Sequence, residues 1–141
     1  MWKDYYSIGV ETIDDQHKEL FKNLGDFIML VRDKEIKWED RLDKAKETLD
    51  FLQGYVVFHF DDEEKFQESI NYPDIEIHKE AHRQFKEGIN EYVEIFNEGG
   101  FTEDKMQEFS AKLMTWLIMH VGKMDQEIGK FVREMEGEGE Q

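Results

Sequence analysis

From Leu42 to Ile70 a single seam runs without a break. Leu42, Ala45, Leu49, Leu52, Val56, His59, Glu63, Phe66 and Ile70 follow one another in alternating steps of three and four. That spacing puts them on one face of a long α-helix, which must lay the face against other helices to bury it. The same rhythm recurs three times more. It joins Ile13, His17, Leu20, Phe21, Leu24, Ile28 and Val31; then Ile75, His78, His82, Phe85, Ile89, Tyr92 and Phe96; then Met106, Phe109, Leu113, Trp116, Leu117, His120, Met124, Ile128 and Phe131.

Four helices are therefore expected, over about 13–31, 39–69, 74–96 and from 102 onward. Thr12 is expected to cap the first, with Asp15 in place of a capping-box acid, and Thr102 to cap the fourth. Asn71-Tyr72-Pro73 and Asn97-Glu98-Gly99-Gly100 break the pattern as turns do. Short connections between long amphipathic helices predict an all-α fold, an up-down-up-down antiparallel four-helix bundle with helices crossing at roughly 20°. Residues 1–11 form an N-terminal arm whose Trp2 and Tyr5 are expected to pack across the bundle. Residues 1–135 are expected to form one domain, and the acidic residues 136–141 a disordered tail.

Composition removes several function classes. The net charge of −16 argues against nucleic acid and against anionic membrane surfaces. The absence of cysteine removes disulfides, thiolate zinc sites and iron–sulfur clusters. No apolar run approaches a membrane span, and the first residues lack the basic and apolar regions of a signal peptide. The expectation is a soluble, cytoplasmic monomer.

All five histidines of the chain lie on the seams: His17, His59, His78, His82 and His120. Two acids join them, Glu63 one turn after His59, and Asp125. Burying so many polar groups in an apolar bundle costs several kcal/mol unless each finds a partner. A carboxylate bridging two cations has one. Histidine with Glu and Asp suits iron, zinc, copper or manganese. No His-Glu-x-x-His and no Glu-x-x-His occurs, so neither the common zinc pattern nor the oxygen-rich di-iron bundle pattern is present. Two octahedral irons sharing both carboxylates and one solvent-derived oxygen would have six positions left. Five imidazoles would fill five of them and leave one open for a small molecule.

These segments resemble the hemerythrin family, in its bacterial form. The resemblance is carried by Gly9-Val10-Glu11-Thr12-Ile13-Asp14-Asp15-Gln16-His17, by His59-Phe60-Asp61-Asp62-Glu63-Glu64, by Tyr72-Pro73 before His78 and His82, and by Trp116-Leu117 before His120 and Asp125. It spans nearly the whole chain. It implies two non-haem iron ions with an oxo or hydroxo bridge. His78, His82 and His120 would hold the coordinatively full iron, and His17 and His59 the five-coordinate one, with Glu63 and Asp125 bridging. Dioxygen would bind reversibly as hydroperoxide on that iron, for storage, delivery or scavenging, and not as the substrate of an enzyme. Leu117 and Trp116 would line the dioxygen pocket, whereas Glu64 is expected to be solvated and not a ligand. Gln67 stands where bacterial relatives often carry methionine, with consequences expected only around the site or in packing.

Asp125 also raises a geometric question. It follows His120 by five residues, about 140° away on an ideal helix. Either its side chain reaches around, or a π-type bulge near Gly122 brings it back. Other readings of the same residues stay open: an oxygen or redox sensor acting with a separate signalling partner, a di-iron peroxidase or nitric-oxide-handling enzyme, or iron storage. An oxygen-using enzyme would be a further possible partner.

Overall fold

A computed structural model describes residues 2–139. Its main helices are α1 (Glu11–Arg32), α2 (Trp38–Ser69), α3 (Ile75–Asn97), α4 (Glu103–Met119) and α5 (Asp125–Gly139). A short 3₁₀ turn, Asp4–Tyr6, precedes them, and no strand occurs among the described residues. α2 packs on α1 and α3, and α1 packs on α4. The expected four-helix bundle is therefore present, with α4 and α5 as two halves of its last rod. Among the described residues, no helix is long and apolar enough to cross a membrane.

The seams behave as their spacing requires. Leu20, Leu24, Ala45, Leu52, Met106 and Leu117 are completely buried in the larger core. A second cluster, built from Ile8, Ile13, Tyr72 and Ile128, closes the end of the bundle near the arm. Residues that buried are worth roughly 1.5–3 kcal/mol each in removal of apolar surface from water.

The first helix starts differently from expectation. It begins at Glu11, so Thr12 lies inside the first turn, and Val10 stands at the N-cap without a side-chain bond. Asp14, not Asp15, reaches back: it accepts from Ile8 N–H at 2.9 Å and from Ser7 Oγ at 2.5 Å. Its carboxylate ties down the arm, and Gly9 allows the chain to turn there at φ +79°. Thr102 caps α4 as expected, accepting from Lys105 N–H.

Within the arm, Trp2 packs edge-on against Tyr6 and Phe21, but Tyr5 is 64% exposed. Tyr6, which stacks on Phe21, makes the contact that was expected of Tyr5. Behind the arm, a Cβ on Gly129 would lie 3.0 Å from Ile8 Cα, so any larger residue there would press the arm outward by a few tenths of an ångström. α5 also extends through Gly139, so Glu136–Gly139 continue the helix, and the last two residues of the expected tail lie outside the described ones.

The last rod contains the predicted irregularity. His120–Met124 form a π-turn, in which the Asp125 N–H bonds to the His120 carbonyl, five residues back. A five-residue turn returns Asp125 to the face of His120 instead of leaving it about 140° away. Gly122 lies in this turn, where an added Cβ would come within 3.3 Å of the Tyr6 ring.

Candidate metal centre

Four helices contribute to one point inside the bundle. α1 brings His17, α2 brings His59 and Glu63, α3 brings His78 and His82, and the π-turn brings His120 and then Asp125. None of the seven is more than 3% exposed. The seven residues singled out from the sequence are thus brought together.

Glu63 is the centre of the arrangement. Its Oε2 faces His17 Nε2 and His59 Nε2, each at 3.3 Å. Its Oε1 faces His82 Nε2 at 3.3 Å, His120 Nε2 at 3.4 Å and His78 Nδ1 at 3.7 Å. One oxygen serves two imidazoles and the other serves three. Asp125 lies across from it, with Oδ2 3.0 Å from His17 Nε2 and 3.2 Å from His120 Nε2, and Oδ1 3.6 Å from His78 Nδ1.

These contacts are close, yet several are not hydrogen bonds. Glu63 Oε1, His59 Nε2 and both Asp125 oxygens are buried without a hydrogen-bond partner. Leaving such atoms unsatisfied costs about 1–3 kcal/mol each, and more for charged groups. Convergence of unsatisfied acceptors on one point is the geometry of a coordination shell. Two donors about 2.1 Å from one ion, at right angles, lie roughly 3 Å apart. His17, His59, Glu63 and Asp125 form one group able to hold an ion, and Glu63, His78 and His82 form a second that shares Glu63. The donor set fits ions that accept nitrogen and oxygen.

Outer contacts hold the rings. Gln16 donates from Nε2 to Asp62 Oδ2 at 2.8 Å, which turns its Oε1 toward His59 Nδ1 at 2.7 Å. An amide oxygen only accepts, so the His59 proton sits on Nδ1 and the Nε2 lone pair faces inward. His82 Nδ1 is 2.8 Å from Glu64 Oε2, with the same consequence. Glu64 is therefore not the freely solvated side chain expected from the sequence; it is 20% exposed and paired. Gln67, fully buried, lies with Nε2 3.3 Å from His78 Nδ1, beside the site as expected.

Trp116 and Leu117 take different positions. Trp116 stacks on His120 with ring centroids 4.8 Å apart, and its other face meets Phe85 at 3.6 Å. It is a wall behind His120. Leu117 is fully buried in the core, one turn before His120.

The electrostatics of the chain itself are dominated by burial and by opposite charge. Burial pushes the His17 imidazole down, but Asp125 and Glu63 more than reverse this and raise it to about 10. Burial pushes the Glu63 carboxyl up, and His120, His17 and His59 together pull it well below the ordinary range. Burial wins at His59, which is lowered. A histidine raised from about 6.5 contributes stability that is complete below pH 6.5 and is lost as the pH climbs through about 10. After chelation, the urea midpoint of the chain is expected to fall between pH 7 and pH 10. The fall should shrink in His17→Gln; an equal fall in the variant would show that His17 does not carry it.

A family model, the hemerythrin HHE cation binding domain, matches residues 8–132. The chain belongs to the hemerythrin family. A bacteriohemerythrin of Clostridium acetobutylicum is 32% identical over 130 residues, covering 90% of this chain and 96% of that protein. One from Stenotrophomonas maltophilia is 29% identical, covering 89% of this chain and 76% of its own. A myohemerythrin from Theromyzon tessulatum is 26% identical, covering 88% of this chain and 86% of its own. Hemerythrin membership agrees with the resemblance read from the ligand segments. The outer pair Gln16 and Glu64 was not read from the sequence. Each is next to a seam residue, about 100° around the helix, where a seam analysis does not look.

Proposed function

We propose that this hemerythrin binds dioxygen reversibly at a non-haem di-iron centre. The observation that carries the reading is the division of Glu63, one oxygen toward His17 and His59, the other toward His82, His120 and His78. That division suits a bridge between one iron held by two imidazoles and one held by three. Asp125 would be the second bridge. The iron held by His17 and His59 would be the one left with a position for a small ligand.

When bound, the iron pair supplies the electrons that dioxygen accepts. The chain's own contribution is placement and exclusion. Gln16 and Glu64 keep protons on the outer nitrogens of His59 and His82, so both present lone pairs inward. The ligands are nine-tenths or more buried, so water has little access to them. Phe60, stacked on His82 at 3.9 Å, and Trp116, stacked on His120, add apolar walls. Among the described residues, Glu63 and Asp125 are the only acids that are completely buried, so few groups would protonate a ligand there, which favours release of dioxygen over its reduction.

The test is oxygen uptake by the ferrous-loaded chain. The reading predicts one dioxygen per two irons, recovered on flushing with argon; uptake that is never recovered contradicts it. Leu117 supplies a second expectation. Replacing this buried leucine by serine puts a hydroxyl where the core is apolar and lets water in. Leu117→Ser should autoxidise about tenfold faster, as an extra buried polar group of roughly 1–2 kcal/mol would allow. An unchanged rate would show that Leu117 does not guard the pocket.

A further inference from the structure

Two of the five imidazoles have a partner on the ring nitrogen turned away from the bridging carboxylates: His59 has the Gln16 amide oxygen, and His82 has the Glu64 carboxylate. The Gln67 amide nitrogen meets His78 at Nδ1, the nitrogen that faces Glu63 and Asp125. His17 Nδ1 and His120 Nδ1 have none among the described residues. The partners are not equivalent. Gln16 is a neutral amide, and Glu64 carries a charge.

Glu64 follows Glu63 on α2, and its side chain crosses to α3 behind the His82 ring. Its only ion-pair partner among the described residues is His82. Phe60 lies flat on the same ring, 3.9 Å between centroids and 4° between planes. The ring of His82 is thus fixed in its plane by Phe60 and along its edge by Glu64. Its Nε2 is left facing Glu63 Oε1 and His120 Nε2, each at 3.3 Å.

We infer that Glu64 is a positioning residue that sets the reduction potential of the iron pair through His82. The inference rests on the di-iron reading above. A carboxylate behind a ligating imidazole fixes its tautomer and increases electron donation from the inward nitrogen. Stronger donation and a nearby negative charge both favour the ferric ion over the ferrous one. The effect falls on the iron held by His78, His82 and His120, because His59, on the other side, is backed by a neutral amide. The two irons are therefore tuned unequally, and the charged outer partner sits on the one that does not take the ligand.

Two substitutions separate charge from geometry. Glu64→Gln keeps an acceptor for His82 and removes the charge. Glu64→Ala removes both. The experiment counts iron per chain, measures iron loss to a chelator, and titrates the potential of the iron pair under argon with redox mediators. Glu64→Gln should keep two irons and the parent's rate of iron loss. Its ferric-to-ferrous step should become about tenfold more favourable, which is about 59 mV for one electron. Glu64→Ala should show at least that rise and lose iron roughly 10–100-fold faster. Gln16→Ala, as the neutral-partner control, should leave the potential in place. If Glu64→Gln keeps the parent's potential, the inference is overturned, whatever the rate of iron loss in Glu64→Ala. If the parent chain does not hold two irons, it is the di-iron reading that fails, before Glu64 is reached. Should Glu64→Ala not fold, Glu64→Gln alone decides, because its potential either moves or does not.

Discussion

His82→Ala retains at most one iron per chain. The side chain is completely buried, and its Nε2 stands 3.3 Å from both Glu63 Oε1 and His120 Nε2. α3 sends only His78 and His82 to the centre, so the substitution halves that helix's contribution. It also strands the Glu64 carboxylate and empties the space under the Phe60 ring. The remaining donors on that side are too few to hold a second ion against water. Metal analysis after desalting reads the result directly, with far-ultraviolet circular dichroism showing that the helices persist. A variant that keeps two irons and the parent's visible spectrum would mean that His82 is not a ligand.

The second large effect is on stability. Two buried carboxylates and five buried imidazoles are held close together in an otherwise apolar bundle. An ion that binds only the folded chain adds about 4 kcal/mol when its free concentration is about a thousand times its Kd. In a domain of this size, 1 kcal/mol moves Tm by roughly 3–4 °C. Chelation should therefore lower Tm by about 10–15 °C, and restoring ferrous iron under argon should raise it again. Bound ions would link four helices at one point, so the loss should appear as one cooperative transition shifted downward. A Tm indifferent to iron would indicate that the cluster closes well without it and that the unsatisfied oxygens of Asp125 are not waiting for a metal.

How much was legible in the sequence differs from feature to feature. The seams were, because a three-four rhythm over a helix as long as α2 has one physical solution, and Leu42 to Ile70 follow it without a gap. The residues of the buried cluster were legible for the same reason in reverse: His59 and Glu63 interrupt an otherwise apolar seam. Even the π-turn could be anticipated, since a step of five residues from His120 to Asp125 does not fit one face of a regular helix.

Features set by lateral contacts were not legible. Glu64 looks like a surface residue because one face of α2 is read at a time, and only the approach of α3 puts His82 beside it. Thr12 has the chemistry of a cap, but the helix starts two residues earlier, and Asp14 binds the arm at Ser7 and Ile8. Tyr5 and Tyr6 are indistinguishable by type, and the local 3₁₀ turn decides which is buried. The stacking of Trp116 on His120 is likewise a contact between side chains that periodicity does not specify.

The most direct test of the account is a single cycle on one sample. The chain is loaded with ferrous iron under argon and desalted, its iron is counted, and oxygen is admitted while visible and resonance Raman spectra are recorded. The gas is then exchanged for argon and the spectra are repeated. The account predicts two irons per chain and an oxygen–oxygen stretch that shifts when the heavy isotope is used and disappears under argon, over repeated cycles. Any other iron count, or immediate conversion to a ferric pair with no isotope-sensitive band, would contradict it.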